Sequence, residues 1–181
     1  MKWNAPNLLT LLRIFLIPVF IIIYLTNIPD WNIYAAIIFI LAAITDWLDG
    51  FLARRNNQVS NFGKLWDPTA DKLLVLAALL VLMDWGKVSF IVVLIIVARE
   101  LIIGAFRAMA AAKGIVIAAD KSGKFKTAVQ FIAIVLLLLN NWFFAFLPFD
   151  LGLVLIWISA AISVYSCIGY FVKNKGIMAD E

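Results

Sequence analysis

Residues 45–72 of the chain read TDWLDGFLARRNNQVSNFGKLWDPTADK and join two long apolar segments. Two aspartates, Asp46 and Asp49, stand three residues apart, and two more, Asp67 and Asp71, stand four apart. Residues at these spacings share one face of an α-helix. Two helices joined by a short loop would therefore direct four carboxylates at one locus.

The composition of the whole chain is that of a membrane protein. Of its 181 residues, 65% are hydrophobic and 14% are charged, and the mean hydropathy is +1.04. A soluble domain has about 45–50% apolar and about 25% charged residues. We therefore expect lipid to be the main solvent of the surface, and we predict one membrane-embedded domain over residues 1–181.

Six apolar segments are long enough to cross a bilayer, which takes about 20 helical residues. They are residues 8–26, 33–54, 67–84, 88–112, 125–147 and 151–172. Asn, Gly, Pro and Asp occupy the breaks between them, as is typical of turns. The first segment has no clear small-residue cleavage site, so we expect it to be retained. The sequence thus predicts an all-α integral membrane protein with six transmembrane helices.

Basic residues are distributed unequally between the two ends of these segments. At one end lie Lys2, Arg54, Arg55, Lys64, Lys113, Lys121, Lys124, Lys126, Lys173 and Lys175. At the other end, Lys87 is the one basic residue in the three short connections. Because cytoplasmic loops of membrane proteins are enriched in lysine and arginine, we expect a multi-pass protein of the cytoplasmic membrane. Both termini and the site near the aspartates would face the cytoplasm.

The residue inventory excludes several kinds of chemistry and partner. The chain has no histidine, which removes Ser-His-Asp catalysis and imidazole metal ligands. Its net charge is +4, but the basic residues border apolar segments. Anionic lipid headgroups or phosphorylated substrates are therefore expected as partners, and nucleic acid is not.

Four carboxylates at a membrane edge repel one another and resist desolvation, so they need compensating positive charge. Hard divalent cations supply it, and Mg²⁺ commonly combines carboxylates with substrate phosphates. Gly50 and Ala53 each lie one turn after an aspartate and leave the helix face bare, while Arg54 is placed to meet a phosphate. A single membrane-edge aspartate often merely meets water, but that alternative does not account for this combination.

The pattern Asp46-x2-Asp49-Gly50-x2-Ala53-Arg54-x8-Gly63-x3-Asp67-x3-Asp71 resembles the complete signature of the CDP-alcohol phosphatidyltransferases. The resemblance implies the CDP-alcohol phosphotransferase fold, a homodimer, and a polar cavity open to the cytoplasm. It also implies that Mg²⁺ or Mn²⁺ is held by all four aspartates, with Asp71 acting in addition as the general base.

The resemblance further implies a binding surface for the nucleotide-lipid donor, CDP-diacylglycerol. Its residues would be Asn7, Thr10, Asp46, Gly50, Ala53, Arg54 and Gly63. For Asn7 and Thr10 there is an equal alternative, which is that they cap the first helix.

Other segments concern the acceptor of the transferred group. Residues 6–14, 98–101, 114–119 and 123–130, together with Arg107, resemble those of bacterial phosphatidylglycerophosphate synthases. The resemblance implies transfer of a phosphatidyl group from CDP-diacylglycerol to sn-glycerol 3-phosphate, giving phosphatidylglycerol phosphate and CMP. The residues expected to bind glycerol phosphate are Arg107, Lys124, Lys126, Thr127 and Gln130. Alternatively, the basic residues among them simply follow the positive-inside rule.

Several alternatives stay open at the level of sequence. The acceptor could be inositol phosphate, serine or phosphatidylglycerol. Arg99 and Glu100, near the middle of the fourth segment, could contact substrate or pair with each other. An ion transporter is a remote alternative, because its charged path should reach both faces of the membrane. A lipid-binding scaffold does not account for the four carboxylates and their glycines. The last two apolar segments look generic.

Overall fold

The computed structural model describes the backbone of residues 5–56, 61–115, 117 and 121–174, and the side chains of residues 8–45, 69–115, 117 and 123–174. Within these ranges the chain forms α-helices, turns and no β-strand. The helices are α1 (Ala5–Thr26), α2 (Trp31–Asn56), α3 (Asn61–Asp84), α4 (Phe90–Ala112), α5 (Lys121–Leu138) and α6 (Leu151–Lys173). The all-α prediction is confirmed.

Two helices are long and apolar enough, by length and composition alone, to cross a membrane. They are Leu8–Thr26 within α1 and Leu151–Lys173, which is α6. The apolar part of α2 is shorter, Trp31–Thr45. Much of the outer surface is apolar, since Phe15 and Ile168 are each more than half exposed. Apolar surface of this extent is expected of a protein that contacts lipid.

Two helical hairpins make the most extensive contacts, α1 with α2 and α5 with α6. The helix α3 packs mainly on α1, α4 packs mainly on α6, and α2 contacts α5 directly. The main core contains Phe20, Phe39, Leu74, Ile96 and Ile134, one from each of the first five helices. Small buried residues on the facing surfaces let helices approach closely. They include Ala35, Ala36, Ala42, Ala77, Ala78 and Ala160.

Turns form at the predicted breaks between α1 and α2 and before α6. Asn27 and Asp30, which flank the turn between α1 and α2, both have positive φ angles of 48° and 56°. Asn and Asp tolerate this left-handed conformation better than other residues with side chains. Asp150 caps α6, with Oδ1 accepting a hydrogen bond from the Leu153 amide at 2.7 Å.

The fifth helix ends earlier than the sequence predicts. The predicted segment is 125–147, whereas α5 is Lys121–Leu138 and is followed by turns and a short 3-10 helix, Trp142–Phe144. Asn140 and Asn141 adopt positive φ angles of 51° and 53°, which stop the helix. The Asn141 side chain then accepts a hydrogen bond from the Gly152 amide at 2.8 Å. Apolar composition alone therefore overestimates the length of this helix.

An aromatic cluster joins the helices where α1 meets α2 and α3 meets α4. The ring of Trp31 lies 4.9 Å from that of Tyr24 and 4.7 Å from that of Trp85, both edge-on. The Tyr24 hydroxyl donates a hydrogen bond to the Asp84 carboxylate. Lys87 lies over the Trp85 ring, with Nζ 4.9 Å from its centroid.

Candidate active site

A cavity of about 410 Å³ opens between α3, α4 and α5. Its polar side chains come from all three helices, and most of its other lining residues are apolar. The described lining residues are Asp71, Lys72, Val75, Leu76, Leu79, Ile96, Val97, Glu100, Leu101, Gly104, Ala105, Lys126, Thr127 and Gln130. A largely apolar cavity with a few convergent polar groups is the usual form of a small-molecule site.

The helix α3 supplies Asp71 and Lys72 to this cavity. On either side of them, Ala70 and Leu74 are fully buried. Because Ala70 and Leu74 pack inwards, α3 is rotated so that Asp71 and Lys72 line the cavity. Asp71 is partly buried, and the Lys72 side chain is 48% exposed.

Glu100 of α4 is the centre of a group of charged side chains. Its Oε1 atom accepts hydrogen bonds from Nη1 of Arg99 at 2.8 Å and from Nζ of Lys126 at 2.9 Å. Its Oε2 atom lies 4.0 Å from Nζ of Lys72. We call Lys72, Arg99, Glu100 and Lys126 the Glu100 cluster. The alternative in which Arg99 and Glu100 pair with each other is confirmed, and Glu100 also lines the cavity.

The helix α6 is tied to the Glu100 cluster by a serine. Nη2 of Arg99 donates a hydrogen bond to Oγ of Ser166 at 2.9 Å. Ser159, Ser163 and Ser166 are all buried along one side of α6. Since they recur at intervals of four and three residues, they form a polar stripe on an otherwise apolar helix. The last helix therefore takes part in holding the site.

On α5, Lys126 and Gln130 are almost fully buried, with exposed fractions of 3% and 1%. They stand one helical turn apart and both line the cavity. Nε2 of Gln130 is buried without a hydrogen-bond partner among the described residues. A buried amide in this state is costly unless a ligand accepts its hydrogen bond. Thr127 also lines the cavity, and its hydroxyl donates to the Gly123 carbonyl at 3.0 Å.

Arg107 lies on a different face of α4, towards α6. Its Nε atom donates to the Tyr170 hydroxyl at 3.3 Å, and its guanidinium carbon is 5.6 Å from the centroid of the same ring. Phe106 packs edge-on against Tyr170, with centroids 5.5 Å apart. Neither Arg107 nor the exposed Lys124 is among the described residues that line the cavity.

The sequence of the chain matches a known protein family over most of its length. The model of the CDP-alcohol phosphatidyltransferases matches residues 3–165. The chain belongs to this family. The resemblance predicted from the aspartate pattern is thereby confirmed, and membrane association follows for the family as a whole.

Individual members of the family match the chain almost end to end. A CDP-diacylglycerol–glycerol-3-phosphate 3-phosphatidyltransferase of Bacillus subtilis (strain 168) is 41% identical over 184 residues, covering 95% of each chain. A transferase of the same name from Wigglesworthia glossinidia brevipalpis is 37% identical and covers 94% of each chain. Another from Haemophilus influenzae is 36% identical, covering 100% of this chain and 98% of the relative.

The family signature lies on the α2 and α3 backbones. Asp46 and Asp49 fall within α2, and Asp67 and Asp71 fall within α3, as the spacing argument requires. Of the four aspartates, Asp71 is the one whose side chain the structure describes. The other signature side chains lie outside the described ones, namely Asp46, Asp49, Gly50, Ala53, Arg54, Gly63 and Asp67. Among the described residues, no group of three or more potential metal ligands comes together.

The N-terminal residues predicted to bind the donor lie inside α1, which begins at Ala5. Neither Asn7 nor Thr10 is therefore a helix cap, and that alternative is wrong. Thr10 is fully buried, while the side chain of Asn7 lies outside the described ones. Arg13, one turn further on, is also fully buried, and its Nε donates to the Ala42 carbonyl of α2 at 3.3 Å.

Three residues around the site are not predicted by the sequence patterns above. Lys72 lines the cavity directly after Asp71, and Ser166 and Tyr170 hold the two arginines of α4. The serine spacing in α6 is a signal that could have identified Ser166. The prediction that the last two apolar segments are generic is wrong for α6, because hydropathy does not register sparse polar residues on one helix face.

Proposed function

We propose that this protein transfers the phosphatidyl group of CDP-diacylglycerol to sn-glycerol 3-phosphate and releases CMP. The family membership and the names of its relatives support this reaction. The observation that carries the proposal is the cavity that Asp71 of α3 shares with Lys126 and Gln130 of α5. A carboxylate, an ammonium group and a hydrogen-bonding amide in one cavity are the groups needed to bind and activate a polyol phosphate.

In the proposed reaction, Asp71 takes the proton from the primary hydroxyl of glycerol 3-phosphate. The resulting oxygen nucleophile attacks the β-phosphorus of CDP-diacylglycerol, the one bonded to the diacylglycerol oxygen. The bond from this phosphorus to the bridging oxygen breaks, and CMP leaves with the electron pair. Asp71 then returns its proton to the solvent, so the carboxylate is regenerated.

The acceptor is bound from the α5 side of the cavity in this proposal. Lys126 contributes positive charge, and Gln130 uses its buried amide. Thr127 offers its hydroxyl at the exposed edge of the same helix. Arg107 and Lys124 lie outside the described lining, so we propose that they attract the anionic acceptor at longer range.

The donor is assigned to the α1–α2–α3 side. Asn7, Thr10, Gly50, Ala53, Arg54 and Gly63 are proposed to bind CDP-diacylglycerol along the signature. Asp46, Asp49, Asp67 and Asp71 are proposed to hold Mg²⁺ or Mn²⁺, whose preference for oxygen ligands fits four carboxylates. When bound, such a cation supplies positive charge that stabilises the phosphoryl group during transfer.

The proposal includes an arrangement in the membrane. All six helices would cross the cytoplasmic membrane within one domain over residues 1–181, with both termini and the cavity on the cytoplasmic side. The unequal distribution of basic residues supports this orientation. The site must open to water for glycerol phosphate and to the inner leaflet for the lipid. A homodimer is proposed from the family resemblance.

The test uses purified protein in detergent–lipid micelles with labelled CDP-diacylglycerol and Mg²⁺ or Mn²⁺. Release of CMP should depend on glycerol 3-phosphate, and inositol phosphate, serine and phosphatidylglycerol should be poor acceptors. Asp71→Asn should lower kcat by a factor of about 10² to 10⁴, the usual contribution of a general base. Asp30→Asn, in the turn between α1 and α2, makes the same charge change as a control. Full activity of Asp71→Asn, or a preference for another acceptor, would contradict the proposal.

A further inference from the structure

Glu100 presents a chemical problem for the proposed acceptor site. It lines the cavity and its side chain is 27% exposed. An ionised carboxylate accepts hydrogen bonds and donates none, so it cannot bind a phosphate and repels it. A negative charge in a cavity for a phosphorylated acceptor therefore requires a function other than direct contact.

The hydrogen bonds of Glu100 indicate what that function is. One oxygen, Oε1, accepts from both Arg99 and Lys126, at 2.8 and 2.9 Å. Each donor comes from a largely buried side chain, 12% exposed for Arg99 and 3% for Lys126. Without Glu100, two buried cations would repel each other and lose their shared acceptor. The carboxylate therefore determines where the Lys126 ammonium group lies.

Lys72 completes the arrangement from α3. Its Nζ atom lies 4.0 Å from Oε2 of Glu100, which is beyond hydrogen-bonding distance. Gly104 stands one turn after Glu100 on α4, and a Cβ there would lie 3.4 Å from Nζ of Lys72. The ammonium group of Lys72 thus rests over a bare part of α4, facing the cavity that Asp71 also lines.

The charges of the Glu100 cluster favour an anionic acceptor. Lys72, Arg99 and Lys126 carry three positive charges and Glu100 carries one negative charge, which leaves a net +2 for the cluster. The carboxylate of Asp71 lines the same cavity and reduces this to +1. A phosphate monoester carries about −1.5 to −2 at neutral pH. The remaining positive charge attracts such a group, whereas an acceptor without phosphate gains nothing from it.

We propose that Glu100 is a positioning residue for the acceptor. It holds the Lys126 ammonium group, with Arg99 behind it, in the place where the phosphate of the acceptor binds. This inference rests on the proposed function, since it assigns a means by which the same cavity recognises glycerol 3-phosphate. Glu100 acts through Lys126 and does not itself touch the substrate.

The central variant is Glu100→Gln, which keeps the shape of the side chain and removes its charge. We expect the KM for glycerol 3-phosphate to rise roughly ten- to a hundredfold, the effect of losing one charge-assisted hydrogen bond on binding. The KM for CDP-diacylglycerol and kcat should change by less than about threefold, as expected when ground-state binding is lost. Glu100→Asp keeps the charge but shortens the reach, and should give an intermediate KM.

A double-mutant cycle separates positioning from a purely structural ion pair. If Glu100 acts through Lys126, Glu100→Gln should raise the KM for glycerol 3-phosphate much less in a Lys126→Met background than in the wild type. A structural ion pair predicts a lower melting temperature with equal effects on both substrates. Asp30→Asn serves again as the control for charge removal away from the cavity.

The outcomes are distinguishable. Wild-type KM for glycerol 3-phosphate in both Glu100→Gln and Glu100→Asp would overturn the inference, and so would additive effects in the cycle. If Glu100→Gln does not fold, the test uses Glu100→Asp in the wild-type protein and in the Lys126→Met variant. Wild-type protein that releases no CMP with glycerol 3-phosphate would refute the proposed function itself, and the role of Glu100 with it.

Discussion

Replacing Gly152 by alanine should destabilise the hairpin formed by α5 and α6. A Cβ at this position would lie 2.9 Å from Cγ of Leu137, 3.1 Å from the Leu137 backbone nitrogen and 3.2 Å from Oδ1 of Asn141. Leu137 is 1% exposed, so its side chain has little room to move. Its backbone nitrogen belongs to α5 and can move only with the helix.

The magnitude follows from these three contacts. To remove these close contacts, α6 must shift away from α5 by several tenths of an ångström. The shift also stretches the hydrogen bond from the Gly152 amide to Oδ1 of Asn141. Overpacking of a well-packed site costs about 1–3 kcal/mol. We therefore expect Gly152→Ala to lower the free energy of unfolding by about that amount.

Gly169 provides a matched control on the same helix. A Cβ there would meet no heavy atom of the described structure within 4 Å. Since alanine is favoured over glycine inside a helix by about 1 kcal/mol, Gly169→Ala should be neutral or slightly stabilising. Unfolding of the purified variants in micelles, followed by circular dichroism during SDS titration, measures both. Equal stability of the two variants would refute the close-packing argument at Gly152.

Two further predictions concern the aromatic cluster and the metal. Tyr24→Phe removes the hydrogen bond to Asp84 and should cost about 0.5–1.5 kcal/mol of stability. In SDS titration, Tyr34→Phe on the exposed side of α2 should show no such loss, and an equal effect would contradict the role of the bond. Chelation by EDTA should abolish CMP release by the wild type, and Mg²⁺ or Mn²⁺ should restore it. Full activity in EDTA would exclude the proposed metal.

Sequence reasoning works well here for helices that hydropathy and turn residues delimit together. Asn27 and Asp30 end one helix and begin the next because they tolerate positive φ. It fails at the end of α5, where the segment after Leu138 stays apolar although Asn140 and Asn141 have already left the helix. The apolar side chains there keep the hydropathy of the segment high, although its backbone is no longer α-helical.

The sequence likewise predicts only part of the candidate site. Spacing within a helix predicts that Asp67 and Asp71 fall on one helix, and it identifies Lys126 and Gln130 as neighbours one turn apart. It does not predict which residue from another helix they meet, because that depends on packing. The pairing of Glu100 with Lys126 joins residues 26 positions apart. For Arg107, the sequence predicts a contact with glycerol phosphate, but packing places this residue against α6. There its Nε atom donates a hydrogen bond to the Tyr170 hydroxyl.

In the proposed arrangement of six spans, the bonds made by Arg99 and Glu100 have a consequence for how the chain is assembled in a bilayer. Each charged residue at the centre of a helix raises the cost of inserting that helix by about 2.5–3.5 kcal/mol. The partners that offset this cost, Lys126 and Ser166, come from α5 and α6, which are synthesised after α4. If α4 crosses the membrane as proposed, its stable insertion would depend on α5 and α6.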